Sequence, residues 1–146
     1  MKITSSAFQN NSKIPIKYTC DGENINPPLS FSDVPGNAKS LVLIMDDPDA
    51  PSKTWTHWTV FNISSVSTEI KENSVPGGSI EGMTDFGKLG YGGPCPPSGT
   101  HRYFFKFYAL DIMLDLKMGA NKEQLESAMQ GHTLAQSELI GLYSRQ

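Results

Sequence analysis

Glycine and proline punctuate this chain so densely that long regular elements have little room. The 13 Gly and 10 Pro are scattered over all 146 residues, with no linker-like cluster and no internal repeat. Gly frees the backbone for positive φ, and Pro fixes φ while removing a donor, so both tend to end strands and helices. Between the breaks lie short runs of alternating apolar and polar residues, the pattern of strands half covered by a core. Such runs occupy 2–4, 14–18, 29–31, 40–45, 56–63 and 102–110, with a last one at 134–143 where Leu139-Ile140 weakens the alternation. The unbroken apolar run Leu41-Val42-Leu43-Ile44-Met45 predicts a strand covered on both faces. One helix is signalled late in the chain. Asn121 can cap it, Glu123 suits its positive end, Leu125 and Met129 share a face, and Gly131 can stop it. The expectation is a mostly β single domain over 1–146, with two packed sheets and a helix in the C-terminal region.

Charge and length narrow the function classes. A net charge of -3 without a basic block argues against a nucleic-acid surface. The first ten residues lack the apolar run of a signal peptide, and no stretch has the length of a membrane span, so a cytoplasmic protein is expected. The two cysteines, Cys20 and Cys95, fit no zinc spacing. In a reducing compartment two separate thiols are expected, and a bridge between them is the alternative.

Two motifs carry the chemistry. Asp47-Pro48-Asp49-Ala50-Pro51 follows the apolar strand, and its prolines hold the Asp47 and Asp49 carboxylates in a stiff loop. About fifty residues on, Gly93-Pro94-Cys95-Pro96-Pro97-Ser98-Gly99-Thr100 leads into His101-Arg102-Tyr103. Between them runs Trp55-Thr56-His57-Trp58-Thr59-Val60-Phe61-Asn62. Strict alternation places Trp55, His57, Thr59 and Phe61 on one face of that strand and Trp58, Val60 and Asn62 on the other. It also places His101, Tyr103 and Phe105 together, with Arg102 turned away to pair with a carboxylate or carbonyls that brace a loop. Two histidines, a tyrosine hydroxyl and a tryptophan supply hydrogen bonds and an aromatic wall for an anion such as phosphate. Gly92 and Gly93 are expected to let the backbone approach that ligand. A carboxylate beside an anion site needs a purpose: Asp47 can orient a histidine and favour its charged form, or accept from the ammonium of a zwitterionic head group.

These motifs, with Tyr18-Thr19-Cys20-Asp21-Gly22-Glu23-Asn24, Pro27-Pro28-Leu29 and Gly131-His132-Thr133-Leu134-Ala135-Gln136-Ser137-Glu138-Leu139-Ile140-Gly141, cover nearly the whole chain. Together they resemble the phosphatidylethanolamine-binding protein family, most closely its short Raf-kinase-inhibitor-like branch in bacteria and archaea. The resemblance implies a central antiparallel sheet packed against a smaller sheet, and an anion pocket at one end. That pocket would use Asp47, Trp55, His57, Gly93, Cys95, Pro97, His101 and Tyr103, with Asp49 and Pro51 shaping its loop. Three departures from the eukaryotic pattern stand out. Only three residues separate Pro97 from His101, Cys95 stands where glycine is typical, and no further helix follows the last strand. The implied rim is more open, or covered by a second copy in a homodimer.

Neither motif holds an activated nucleophile, and no Gly-x-Ser-x-Gly element occurs. The leading expectation is therefore a binding protein without catalysis, metal or cofactor. It would recognise a phosphate-bearing small molecule or phosphorylated group, possible regulatory use included. The resemblance also implies an alternative, an inhibitor of a protease or kinase acting through a surface loop. A third reading is a metal-assisted phosphoesterase built on Asp47, Asp49, His57 and His101, a ligand set suited to a hard cation.

Overall fold

The computed structural model describes residues 1–145. Nine strands and one helix run in the order β1 (Lys2–Thr4), β2 (Ser12–Lys13), β3 (Leu29–Ser32), β4 (Ser40–Asp47), β5 (Trp55–Ser64), β6 (Glu69–Ile70), β7 (Ile80–Glu81), β8 (His101–Leu110), α1 (Lys122–Met129) and β9 (Thr133–Tyr143). A six-stranded sheet has the order β2-β9-β8-β4-β5-β7, and a smaller one the order β1-β3-β6. Every pair in the large sheet is antiparallel except the two-residue β2–β9 pairing.

The large sheet is covered on both sides, which accounts for the unbroken apolar run of β4. Leu41, Leu43 and Met45 point toward the small sheet and meet Ile3, Leu29, Phe31 and Ile70. Phe31 stacks on Phe107 with ring centroids 3.9 Å apart and so joins the two sheets. Val42 and Ile44 point the other way, into a second cluster with Phe61, Leu114, Leu125 and Met129 that seats α1. The helix is capped as its residues suggest: the Gln124 amide N–H donates to the Asn121 side chain, and the Gln124 side chain accepts from the Asn121 N–H. Gly131, at φ +83°, follows its end.

Two sequence expectations are corrected. The run 14–18 is not a strand: Pro15 begins a turn of 3-10 helix over Ile16–Tyr18, in which the Tyr18 N–H donates to the Pro15 carbonyl. That turn buries Ile14 and Tyr18 while leaving Ile16 43% exposed, which explains how it imitates alternation. The second correction concerns β5. Met45 pairs with Trp58 but Asp46 pairs with Thr56, so His57 is an extra residue in the ladder. This bulge turns His57 and Trp58 to the same side, with Thr59 and Phe61 opposite. A second irregularity lies between Leu41 and Leu43, opposite the stretch holding Asn62 at φ +54°, and returns Ile63 to the face of Val60.

Candidate functional site

Strand order assembles the site. The neighbours β8, β4 and β5 are antiparallel, so the end of β4 lies beside the beginnings of β5 and β8. Asp47, Trp55, His57, His101 and Tyr103 therefore meet at one end of the central strands of the large sheet, although up to 56 positions separate them in the chain. They line a cavity of about 340 Å³ with Ala50, Pro51, Phe86, Cys95, Pro96 and Pro97.

Its floor is polar and buried. The His57 Nδ1–H donates to the Gly92 carbonyl at 2.7 Å, and His101 Nδ1–H donates to Asp47 Oδ2 at 2.7 Å. A carbonyl and a carboxylate only accept here, so both protons sit on Nδ1 and the Nε2 atoms remain for another partner. Burial pushes the His57 pKa below its ordinary value, against the opposing pull of the Gly92 carbonyl and the Asp47 and Asp46 carboxylates. The Tyr103 hydroxyl is buried without a hydrogen-bond partner among the described residues. Burial beside Asp47 raises its pKa far beyond the usual phenol range, so it stays a donor. Rings close the walls: His57 meets Phe86 and Tyr103 edge-on, each at 5.2 Å, and Trp55 meets Phe86 edge-on at 5.6 Å.

Of the ten predicted residues, eight line the cavity: Asp47, Pro51, Trp55, His57, Cys95, Pro97, His101 and Tyr103. Asp49 and Gly93 do not. Asp49 turns outward and accepts from the Arg102 Nε–H and Nη2–H, each at 2.9 Å, and from the Arg102 backbone N–H. That bidentate clamp pins the Asp47–Pro51 loop to the start of β8, the bracing role expected for Arg102. Gly93 serves a protein contact instead of a ligand: a Cβ there would lie 2.4 Å from the Tyr18 carbonyl oxygen and 2.4 Å from Asn24 Oδ1. A Cβ on Gly92 would likewise strike the Phe86 ring at 2.5 Å. Asp47 serves His101, since its other oxygen accepts from the Asp49 N–H at 2.7 Å and its side chain is only 3% exposed. With Asp49 engaged outside, the metal set of two aspartates and two histidines does not form. Among the described residues no cluster of three or more His, Cys, Asp or Glu side chains is arranged to hold a metal.

The cysteines are joined. Cys20 and Cys95 form a disulfide with Cα atoms 5.4 Å apart, correcting the expectation of separate thiols. The Cys20 N–H donates to the Pro94 carbonyl, Gly93 N–H to Asn24 and the Tyr91 hydroxyl to the Tyr18 carbonyl, so the wall segment is tied to the 18–24 turn at several points. Phe86 and Ala50 are the lining residues that sequence reasoning missed, while Pro96 lines the cavity beside Pro97. Phe86 sits in a polar turn where nothing local marks it as part of a site. Asp85 clips that turn to β5 by accepting from the Thr56 N–H at 2.7 Å and donating to the Thr56 carbonyl at 3.0 Å. Only the folded structure singles Phe86 out, as an aromatic side chain left 42% exposed.

Comparison with known proteins agrees with this architecture. The chain is 59% identical to a UPF0098 protein of Methanothermobacter thermautotrophicus over 99% of both chains. It is 53% identical to a UPF0098 protein of Pyrococcus horikoshii, covering 97% of this chain and 75% of that one. The crystal structure of a phosphatidylethanolamine-binding protein homologue from Chlamydia trachomatis superposes with a TM-score of 0.95 at 47% identity, covering 99% of this chain and 97% of the other. Escherichia coli YbcL, a member of the mammalian PEBP family, superposes with a TM-score of 0.93 at 29% identity over 99% and 98% of the two chains. No helix of the described residues is long and apolar enough to cross a membrane. With residues 4–144 matching the model of the phosphatidylethanolamine-binding protein family, the chain belongs to that family.

Proposed function

We propose that this protein is a non-catalytic binding module whose cavity takes the phosphoryl group of a small molecule or phosphorylated side chain. The observation that carries the reading is that His57 and His101, each with Nδ1 already engaged, line one cavity with Tyr103, whose hydroxyl is buried without a partner among the described residues. Buried polar groups without partners are costly, so a ligand that pairs with them gains more than it would in water. The Pro51, Trp55, Phe86 and Pro97 walls suit the apolar remainder of such a ligand. The reactive parts of a hydrolase are not what this arrangement offers: the carboxylates are spent on holding His101 and Arg102.

An NMR titration of the histidine ring signals with inorganic phosphate and with phosphoethanolamine tests this. Saturable shifts of His57 and His101 together are expected, with no turnover, and Asp47→Asn should weaken both titrations about tenfold by releasing His101. If neither histidine responds to either compound, the pocket assignment is wrong and the surface loops become the place to seek a protein partner.

A further inference from the structure

The polarity of the two histidines limits which oxyanions the cavity can accept. We propose that it is selective for an oxyanion that carries its own proton, distinguishing phosphate from sulfate at neutral pH through the His57 Nε2 lone pair. The inference rests on the anion-pocket reading above and adds to it the protonation state of the ligand.

The His57 ring is fixed by a contact that a ligand does not alter. Its Nδ1–H is committed to the Gly92 carbonyl, on a glycine whose hydrogen Phe86 packs against. Nε2 in the neutral ring is then an acceptor only. Groups from several elements face this ring. From β4 come Asp47 and, behind it on the other face, Asp46, whose carboxylate is held by Lys106 and Lys122 at 3.0 and 2.8 Å. From β8 come Tyr103 and His101, and beside Trp55 at the rim lies the Lys53–Asp85 pair at 3.0 Å. The two carboxylates favour a protonated His57, burial opposes it, and burial is the larger influence. The ring is therefore neutral near pH 7.

Phosphate and sulfate have nearly the same size and, near neutral pH, the same charge on their dominant forms. They differ by a hydrogen. Hydrogen phosphate can donate its P–OH to His57 Nε2 while another of its oxygens accepts from the Tyr103 hydroxyl. Sulfate can only accept, so it sets an oxygen against the His57 lone pair and leaves that buried acceptor unsatisfied. A phosphate monoester, whose second pKa is about 6, must take up a proton to bind in the same manner.

Calorimetric titration of the intact protein with inorganic phosphate and with sulfate, at about pH 7.5 and about pH 5.5, tests the idea. Phosphate should bind about tenfold or more tightly at the higher pH, the discrimination that one unsatisfied buried acceptor produces. The gap should narrow once the pH is low enough to protonate His57 against its burial, because Nε2 then becomes a donor to either ion. Equal affinities at about pH 7.5 would overturn the proposal while leaving the anion pocket intact. If neither ion binds at either pH, the anion-pocket reading itself fails and this selectivity falls with it.

Discussion

Single residues in this site are specialised by what their second atom touches. His57 and His101 look alike in sequence, each in a strand beside an aromatic residue. One is tied to a carbonyl and the other to a carboxylate, and either partner holds the ring proton on Nδ1. Asp47 and Asp49 look alike too, yet one serves the cavity floor and the other an external clamp. The clamp has a pH signature. Hydrogen bonds from Arg102 hold the Asp49 carboxyl at about 2, below its ordinary value of 3.8. Because the folded pKa is depressed, the stability it adds is present above about pH 4 and is lost as pH falls toward 2. Arg102 is half exposed, so screening limits the contribution to about 1 kcal/mol. Asp49→Asn should cost about that much near neutral pH and flatten the decline, as read from urea unfolding between about pH 2 and 6. An unchanged pH profile would mean the clamp contributes nothing.

Among the elements, the bulge in β5 and the loop before β8 decide the shape of the cavity. The bulge adds one residue opposite β4, and the residue it adds is His57. Without it, alternation would send either His57 or Trp58 to the α1 side, emptying the site or opening the core. The loop depends on close backbone approach at Gly93, where the Tyr18 carbonyl leaves no space for a methyl group. Gly93→Ala must push two backbone segments apart and weaken the Asn24 hydrogen bond. A loss of about 2 kcal/mol or more is expected in denaturant unfolding, in the range seen for overpacked sites. A neutral result would show that the 18–24 turn yields without cost. In sequence the Gly92-Gly93 pair suggests room for a ligand; in the fold it makes room for Phe86 and the Tyr18 carbonyl.

At the scale of the whole molecule, the two sheets, the helix and the disulfide close around one another, with the site at one end of the central strands. Cys20 and Cys95 are 75 residues apart, so the bridge restrains an unfolded loop spanning β3 to β7 and the pocket wall. A loop of that length corresponds to about 4 kcal/mol in the chain-entropy account. Reduction, or Cys20→Ser with Cys95→Ser, should therefore lower unfolding stability by about 2–5 kcal/mol. The Pro94–Cys20, Gly93–Asn24 and Tyr91–Tyr18 hydrogen bonds should still hold the wall near its place in the native state. Equal denaturation midpoints with and without a reducing agent would show that the bridge is dispensable.

Local chemistry already contained much of this. The apolar run of β4, the cap and stop of α1 and the alternation of β8 depend on neighbours a few positions away, and such patterns survive in a linear sequence. The Asp47 and His101 motifs were legible because proline-stiffened loops beside strand ends are rare and polar. Folding alone decided the rest. Which carboxylate faces inward, whether two cysteines meet, and which turn supplies Phe86 depend on strand order and on a one-residue bulge. Those are long-range matters: a bulge shifts the register of every residue after it, and pairing between distant strands leaves no mark on the residues close by in the chain.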